Sequence, residues 1–256
     1  MNMRVAAFVD HEVGFRLLGK MLAAPLSQQL QLSAVVTTVE NGKTWWPGVE
    51  ALCREHGLPL LRYDESFDVA RVPGPVDAVL LLSWKHLLPD SVLEWPRLGT
   101  VNLHYSLLPE LRGVYPVNWA LIEGRDRTGV TFHLVNSRID AGPALLQREI
   151  PIAASDTSRS LQLRLDDLAV ELFDELVPLL PHLPGKCEDG CERAGSYRSR
   201  RDFDRAREIH PERMYRGSEL IDLLRGMSFL PESRNAYFVD PASGERIYVN
   251  LSLHKG

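Results

Sequence analysis

The first hundred residues alternate short apolar segments with amphipathic ones, and this alternation constrains the fold more than any other feature. Arg4–Val9, Leu32–Thr38 and Ala78–Leu82 are apolar and have the length of buried strands. Strands that alternate with helices assemble into a mostly parallel sheet. The other elements predicted here are strands at Pro59–Arg62 and Thr100–Leu103 and helices at Gly14–Ala24, Trp46–His56 and Pro89–Glu94. We therefore predict an α/β fold with a Rossmann-like, mostly parallel sheet and helices on both faces.

The second half of the chain changes character near residue 182. Strands are predicted at Gly129–Val135 and Ala144–Ile152, and a long amphipathic helix at Ser160–Leu180. Pro, Gly and charged residues dominate Pro181–Gly195, which favours a linker. Asn235–Leu253 contains Pro-Ala-Ser-Gly between apolar segments, a pattern that predicts a β-hairpin. We predict a large domain over residues 1–182, then a linker and a small C-terminal α+β appendage over residues 183–256 that ends in the hairpin.

Composition excludes several classes of function. The formal net charge of −5 over 256 residues disfavours a broad phosphate-binding surface, so no nucleic-acid partner is expected. No apolar run is long enough to span a bilayer, so no membrane partner is expected. An odd number of cysteines, three, and an N-terminus that resembles a buried strand rather than a signal peptide favour the cytoplasm. Cys187 and Cys191 lack the four ligands of a structural zinc site, so no metal is expected.

Three polar residues follow or end predicted strands and form a candidate acid/base site. Asn102 and His104 alternate along one strand, which places them on the same face, and Asp140 precedes Gly142 after a later apolar run. An amide can stabilise an oxyanion, an imidazole can move a proton, and a carboxylate can tune the imidazole. A turn cap and a core histidine are the alternative interpretation of an isolated N-x-H pattern. Gly142 and Gly113 are predicted to be requirements of the backbone.

Several separate motifs in this region resemble one family. N-L-H-Y-S-L-L-P-E-L-R-G, W-A-L-I-E-G, T-G-V-T-F-H and I-D-A-G-P occur in that order, and the resemblance covers roughly the first 180 residues. The chain is similar to the folate-dependent formyltransferase superfamily, which includes glycinamide ribonucleotide, methionyl-tRNA and nucleotide-sugar formyltransferases. The resemblance implies that Asn102, His104 and Asp140 are catalytic and that the formyl donor is N10-formyltetrahydrofolate.

The implied reaction gives each member of the trio a role. A primary amine attacks the formyl carbon, and Asn102 and protonated His104 would stabilise the oxyanion that forms. His104 would also transfer protons, because its reference pKa lies near neutrality. Asp140 would hold His104, raise its basicity or orient a relaying water, and the sequence leaves these three roles open.

The segment Leu80–Pro89 resembles the part of the family that surrounds the pterin of the donor. By that resemblance Trp84, Leu87 and Leu88 would contact the pterin together with Asp140. A strand that ends in a turn is the alternative. Lys85 occupies the place of a lysine that resembles a diphosphate ligand in nucleotide-sugar formyltransferases, while a solvated surface lysine is the other interpretation.

The remaining candidate residues follow the first catalytic strand. Arg112 belongs to the R-G of the motif, and its guanidinium suits a phosphate, although a surface ion pair is also compatible. Trp119 is predicted to form part of a wall for a sugar or base, or to pack in the core. His133 lies in a predicted strand and is compatible with the cleft or the core. The acceptor-binding residues expected together are Lys85, Tyr105, Ser106, Arg112, Tyr115 and Trp119.

The C-terminal region distinguishes between relatives. The segments S-Y-R-S-R-R-D-F-D-R, E-L-I-D-L-L-R-G-M-S-F and N-A-Y-F-V resemble the ancillary region of nucleotide-sugar N-formyltransferases. The resemblance implies formylation of a dTDP- or UDP-linked amino-deoxysugar for O-antigen or another surface glycan, and a homodimer formed through this region. Formylation of a siderophore or natural-product precursor, or of methionyl-tRNA, is the alternative. An inactive folate- or nucleotide-binding protein is the non-enzymatic alternative.

Overall fold

The computed structural model describes residues 2–38, 48–185, 195–228 and 234–253. The strands are β1 (Met3–Val9), β2 (Leu30–Thr37), β3 (Leu60–Arg62), β4 (Ala78–Leu82), β5 (Gly99–His104), β6 (Arg112–Gly113), β7 (Arg127–Leu134), β8 (Ala144–Pro151), β9 (Tyr197–Arg198), β10 (Tyr237–Val239) and β11 (Arg246–Tyr248). The helices are α1 (Glu12–Leu22), α2 (Val49–Glu55), α3 (Asp90–Leu93), α4 (Pro116–Ile122), α5 (Ser158–Leu176), α6 (Arg200–Ala206) and α7 (Gly217–Gly226). The predicted start of the second helix at Trp46 and the pair Cys187 and Cys191 lie outside the described residues.

A seven-stranded sheet in the order β3-β2-β1-β4-β5-β7-β8 forms the centre of the fold. The strands β3, β2, β1, β4 and β5 are parallel, and β7 is antiparallel to β5. This confirms the predicted Rossmann-like, mostly parallel sheet. The strand order reverses between β1 and β4, and ligands of open α/β sheets bind beyond the carboxyl ends of the strands at such a point.

The central strands are buried because they carry almost only apolar side chains. Every residue of β4 is buried, as are the residues from Val5 to Val9 in β1. Each fully buried aliphatic or aromatic side chain contributes roughly 1.5–3 kcal/mol. The predicted apolar face of α5 is also confirmed, since Leu161, Leu165, Leu168, Leu172 and Leu176 are all buried.

Two elements differ from the sequence-based prediction. The α-helix α5 ends at Leu176 and continues only as a 3-10 helix over Val177–His182, because Pro178 lacks the N–H that an α-helical turn requires. The second difference is α6, a helix that was not predicted from the charged stretch near residue 200. Ser199 and Asp202 make a reciprocal capping box there, and Phe203 is 3% exposed.

The chain divides into two compact units, each built from three separate segments of the sequence. The first unit comprises residues 1–104, 131–147 and 168–193, and the second comprises residues 105–130, 148–167 and 194–256. The antiparallel pairing of β10 with β11 confirms the predicted C-terminal hairpin. The boundary near residue 182 remains a prediction. Within the described ranges, no helix is long and apolar enough to cross a membrane.

Candidate active site

Strand β5 delivers the first two members of the trio. Asn102 and His104 are two residues apart, so both side chains lie on the same face of the sheet. β5 lies between β4 and β7, and in the antiparallel ladder Asn102 is opposite His133. His104 is 6% exposed. The buried strand therefore holds an amide and an imidazole at its carboxyl end with little freedom.

His133 fixes the orientation of the Asn102 amide. Nδ1 of His133 lies 2.8 Å from the carbonyl oxygen of Leu134, and Nε2 lies 3.1 Å from Nδ2 of Asn102. In the neutral imidazole the Nδ1 proton must face Leu134, so Nε2 accepts a hydrogen bond from the Asn102 amide. The amide nitrogen of Asn102, not its oxygen, therefore faces His133.

Asp140 completes the trio from the loop after β7. Its Oδ1 accepts a hydrogen bond of 3.3 Å from Nδ2 of Asn102, and its Oδ2 lies 3.5 Å from Nδ1 of His104. Its backbone has φ +49°, a left-handed conformation that costs of order 1–3 kcal/mol and persists only where the surroundings enforce it. A Cβ on Gly142 would lie 1.9 Å from the Leu134 carbonyl oxygen, so only glycine lets this loop approach the end of β7.

The structure thus brings Asn102, His104 and Asp140 into one cluster and adds His133 to it. His133 is 1% exposed and lies 3.5 Å from Asp140 through Nε2. The sequence left His133 open between a cleft residue and a core residue. Its place opposite Asn102 depends on the register of two strands about thirty residues apart in sequence, which a single chain does not reveal.

A second polar cluster lies beyond the ends of β1, β2 and β4. The Asp10 side chain is fully buried, and Nζ of Lys85 lies 3.9 Å from its Oδ2. Nε2 of His86 lies 3.9 Å from the same oxygen. Thr38 donates to Asp10 from its backbone nitrogen at 2.8 Å and from its hydroxyl at 2.7 Å. Lys85 is therefore an exposed cation held next to a buried carboxylate, and Asp10 and His86 were not found from the sequence.

The turn after β4 also carries the residues predicted to contact the donor. Leu87 is 77% exposed, and its carbonyl oxygen accepts a hydrogen bond of 3.2 Å from the Tyr63 hydroxyl. A cavity of about 450 Å³ is lined by Tyr63, Asp64, Glu65, Phe67, Leu87, Leu88 and Pro89. Burial raises the pKa of Tyr63, so its hydroxyl stays protonated and continues to donate. Leu87 and Leu88 thus line a cavity of a size typical of ligand sites, about 300–1,000 Å³.

Trp84 has a different environment from the two leucines. Its ring packs edge-on against Phe8 and Tyr63, with centroids 5.1 Å and 5.0 Å apart, respectively. It is half-buried, and it is not among the residues that line the cavity. The predicted pterin contact of Trp84 is therefore not supported, because the ring is engaged in aromatic packing behind the turn.

Several residues predicted to bind the acceptor have internal roles in the second unit. The Tyr105 hydroxyl donates to Asp166 at 2.6 Å, and the Ser106 hydroxyl donates to the Glu110 carbonyl oxygen at 2.6 Å. Ser106 is fully buried. Both hydroxyls stabilise the local fold, so the predicted acceptor contacts of Tyr105 and Ser106 are corrected to structural roles.

Trp119 is likewise a core residue. Its side chain is 6% exposed, the Phe203 ring lies 6.3 Å away, and the Arg198 guanidinium covers the indole at 4.7 Å. The Tyr115 ring packs on Phe203 with centroids 4.3 Å apart, and the Arg200 guanidinium lies 5.5 Å from the centre of the Tyr115 ring. Of the two interpretations that the sequence left open for Trp119, the structure supports packing in the core, against a helix, α6, that was not predicted.

Arg112 is the acceptor candidate whose surroundings fit the prediction best. It lies in β6, which pairs with β9, and it is half-buried. Its Nε is buried and has no hydrogen-bond partner among the described residues. The backbone here requires glycine next to it, since Gly113 has φ +97° and a Cβ would lie 2.3 Å from the Arg198 carbonyl oxygen.

The described residues offer little for metal or thiol chemistry. Within them, no group of three or more His, Cys, Asp or Glu side chains is arranged to hold a metal ion. Burial raises the pKa of the Cys53 thiol to about 11, which keeps it protonated and unreactive at neutral pH. The cluster around Asn102 instead combines an amide, two imidazoles and a carboxylate, groups that can stabilise an oxyanion and transfer a proton.

Comparison with protein families agrees with this geometry. Residues 59–177 match the family model described as formyl transferase, and residues 202–255 match the model described as the N-formyltransferase dimerization C-terminal domain. The chain belongs to the formyltransferase superfamily. The first match contains the whole trio, and the second contains most of α6, α7 and the hairpin.

Individual relatives include more than one kind of formyltransferase. Methionyl-tRNA formyltransferase of Geobacter sulfurreducens is 40% identical over 145 residues, which cover 55% of this chain and 45% of the relative. The chain spans about half the length of such relatives. A sugar N-formyltransferase from a Shewanella species has a TM-score of 0.79 at 24% identity over 99% of both chains. An N-formyltransferase from Helicobacter canadensis, solved with folinic acid and dTDP-3-aminofucose, has a TM-score of 0.64 at 18% identity over 90% of this chain and 81% of that one. The structural likenesses show the fold.

Proposed function

We propose that this protein transfers a formyl group from N10-formyltetrahydrofolate to the primary amine of a dTDP- or UDP-linked amino-deoxysugar. The convergence of Asn102, His104 and Asp140 at the end of β5 is the observation that carries formyl transfer. These are the residues that the family motifs single out, and they meet within 3.5 Å.

Asn102 and His104 each have a role in the bond changes of formyl transfer. The acceptor amine forms a bond to the formyl carbon, the carbonyl oxygen becomes an oxyanion, and the bond from the carbon to the folate nitrogen then breaks. The Asn102 amide would donate to the oxyanion by giving up its long 3.3 Å bond to Asp140. His104 would carry the proton from the amine toward the leaving nitrogen. The transfer would use Nε2, because Nδ1 faces Asp140 at 3.5 Å.

The residues near the turn after β4 form a cavity that suits the ring system of a folate donor. Leu87 and Leu88 line a cavity whose other walls include the rings of Tyr63 and Phe67. An apolar and aromatic lining suits the ring system of a folate. A neighbouring structure from Helicobacter canadensis contains folinic acid, which supports a folate as the donor.

The acceptor assignment depends on the C-terminal region. The match of residues 202–255 to a dimerization domain of N-formyltransferases favours a sugar nucleotide and also a homodimer. Lys85 is the cation that we assign to its phosphates. We place the reaction in the cytoplasm, where activated sugars and reduced folates are made available together.

Methionyl-tRNA is the second candidate acceptor. Identity of 35–40% to methionyl-tRNA formyltransferases over 145 to 169 residues favours it. The net charge of −5 opposes it, because binding a polyanionic RNA relies on neutralising its phosphates.

The deciding experiment offers the purified protein N10-formyltetrahydrofolate and a panel of UDP- and dTDP-linked amino sugars, with methionyl-tRNA in parallel. We expect one or more sugar nucleotides to gain a formyl group by mass spectrometry, and the rate to vanish in Asn102→Ala. Formylation of methionyl-tRNA alone would contradict the sugar assignment. Folate binding without turnover of any amine, including hydroxyornithine-type precursors, would favour an inactive binding protein. Light scattering across a concentration series tests the homodimer.

A further inference from the structure

We propose that the buried carboxylate of Asp10 is a positioning residue that holds Lys85 and His86 side by side as one subsite for the acceptor's diphosphate. This inference rests on the proposed function, because it assumes an acceptor that carries a diphosphate. It adds His86 as a second ligand and explains why a buried acid lies at the switch point of the sheet.

Hydrogen bonds from Thr37 and Thr38, at the end of β2, fix the orientation of the Asp10 carboxylate. Oδ1 accepts from the Thr37 hydroxyl at 3.2 Å and from the Thr38 backbone nitrogen at 2.8 Å, and Oδ2 accepts from the Thr38 hydroxyl at 2.7 Å. A buried charge is tolerated only when it is hydrogen-bonded and paired. These bonds leave Asp10 with a defined orientation, so any cation it attracts acquires a defined position as well.

An ammonium and an imidazole converge on one oxygen of Asp10. Nζ of Lys85 and Nε2 of His86 each lie 3.9 Å from Oδ2 of Asp10, so the two nitrogens are no more than twice that distance apart. A diphosphate presents oxygens on two linked phosphorus atoms and can meet both donors at once. Among the described residues, Asp10 is the one acidic group within ion-pair distance of Lys85 and of His86.

The turn that carries Lys85 and His86 is anchored on either side of these two residues. At one end, Nδ1 of His11 lies 2.9 Å from the Ser83 hydroxyl and 3.0 Å from the Ser83 carbonyl oxygen. At the other end, the Tyr63 hydroxyl donates to the Leu87 carbonyl oxygen. Because the backbone between Ser83 and Leu87 is held at both ends, the remaining freedom is that of the Lys85 and His86 side chains, and Asp10 restrains those.

The exposure of these three side chains determines whether the cluster attracts or repels an anion. The Lys85 side chain is 55% exposed and that of His86 is 39% exposed, whereas that of Asp10 is 0% exposed. An anion from solvent therefore meets the Lys85 ammonium and the His86 imidazole, and the carboxylate behind them is shielded from solvent. The attraction of the anion to Lys85, which is closer, outweighs its repulsion from Asp10, which is farther away. Asp10 contributes by ordering the Lys85 side chain, which has many rotamers, before the ligand arrives.

The test measures binding of inorganic pyrophosphate by calorimetry and, separately, the steady-state constants for formyl transfer. In Asp10→Asn we expect the pyrophosphate Kd and the acceptor KM to rise about tenfold, with kcat and the donor KM within about twofold of wild type. Asp77→Asn is the matched control. Asp77 also accepts a backbone N–H and pairs with an arginine, Arg97, but it lies at the amino end of β4. We expect Asp77→Asn to leave the pyrophosphate Kd unchanged.

A positioning role also predicts non-additivity. Asp10→Asn should change the pyrophosphate Kd less than about twofold in a Lys85→Met, His86→Gln background, because the groups it positions are gone. His86→Gln alone should weaken pyrophosphate binding about threefold at an unchanged Tm, which keeps the inference testable if Asp10→Asn does not fold. An unchanged or lower Kd in Asp10→Asn or His86→Gln would overturn it. If the wild type formylates a sugar nucleotide while these variants bind pyrophosphate normally, only this inference fails. If the wild type binds no pyrophosphate and formylates an amine that carries no phosphate, the proposed acceptor fails.

Discussion

Replacing His133 tests how the Asn102 amide is aimed. In His133→Leu the acceptor at Nε2, which lies 3.1 Å from the Asn102 nitrogen, is lost, and so is the bond of 2.8 Å to Leu134. A fully lost oxyanion donor costs about 2.7–4 kcal/mol. Since His133 orients the donor and does not replace it, we expect a smaller effect. A cost of roughly 1.4–2.7 kcal/mol corresponds to a fall in kcat of about tenfold to a hundredfold.

The same variant should lose stability for an independent reason. It leaves the Leu134 carbonyl and one N–H of Asn102 without partners, and each unsatisfied buried group costs about 1–3 kcal/mol. His133→Gln is the control, because its side-chain oxygen can accept from Asn102 near the position of Nε2. We expect it to recover much of kcat.

Steady-state kinetics and chemical denaturation of both variants provide the readouts. KM for donor and acceptor should stay within about twofold, since His133 contacts no substrate in this scheme. Wild-type kcat in a folded His133→Leu, or equal losses in the leucine and glutamine variants, would refute the orienting role. The first result would mean that β5 alone aims Asn102.

Three other changes probe the site and the fold. His104→Ala should lower kcat by about 10²–10⁴ while the protein still folds, measured by formyl transfer with thermal melting as the check on folding, and normal turnover would exclude proton transfer by His104. Gly142→Ala should lower the free energy of unfolding by about 1–3 kcal/mol and reduce kcat, because its Cβ would overlap a backbone oxygen and displace the loop. Hydrogen bonds from Ser196 and Arg125 lower the pKa of Glu110. Its contribution to stability is therefore present above its ordinary pKa of about 4.3 and is lost as the pH falls through the lowered value. Glu110→Gln should destabilise the protein near neutrality, and the difference in denaturation midpoint should disappear in acid; a difference independent of pH would contradict this assignment.

The candidate site shows what a single sequence can and cannot provide. Asn102 and His104 were identifiable because two residues apart on a strand share a face, whatever surrounds the strand. His133 and Asp10 were not assigned, because their partners lie in other strands and the register between strands is set by the whole sheet. The sequence left Trp119 open between a ligand wall and the core for a related reason: Phe203 and Arg198, which pack against it, come from far along the chain.

The amino-acid sequence by itself determined the order of the secondary-structure elements as far as β5, the mostly parallel sheet, the C-terminal hairpin and the identity of the trio. These follow from local periodicity and from motifs, which are properties of neighbouring residues. Tertiary structure alone decided that His133 orients Asn102, that Tyr105 and Ser106 bond within the protein, and that Asp10 faces both Lys85 and His86. Those facts depend on distances between segments far apart in sequence, and close packing of the folded chain fixes such distances to within an ångström or so.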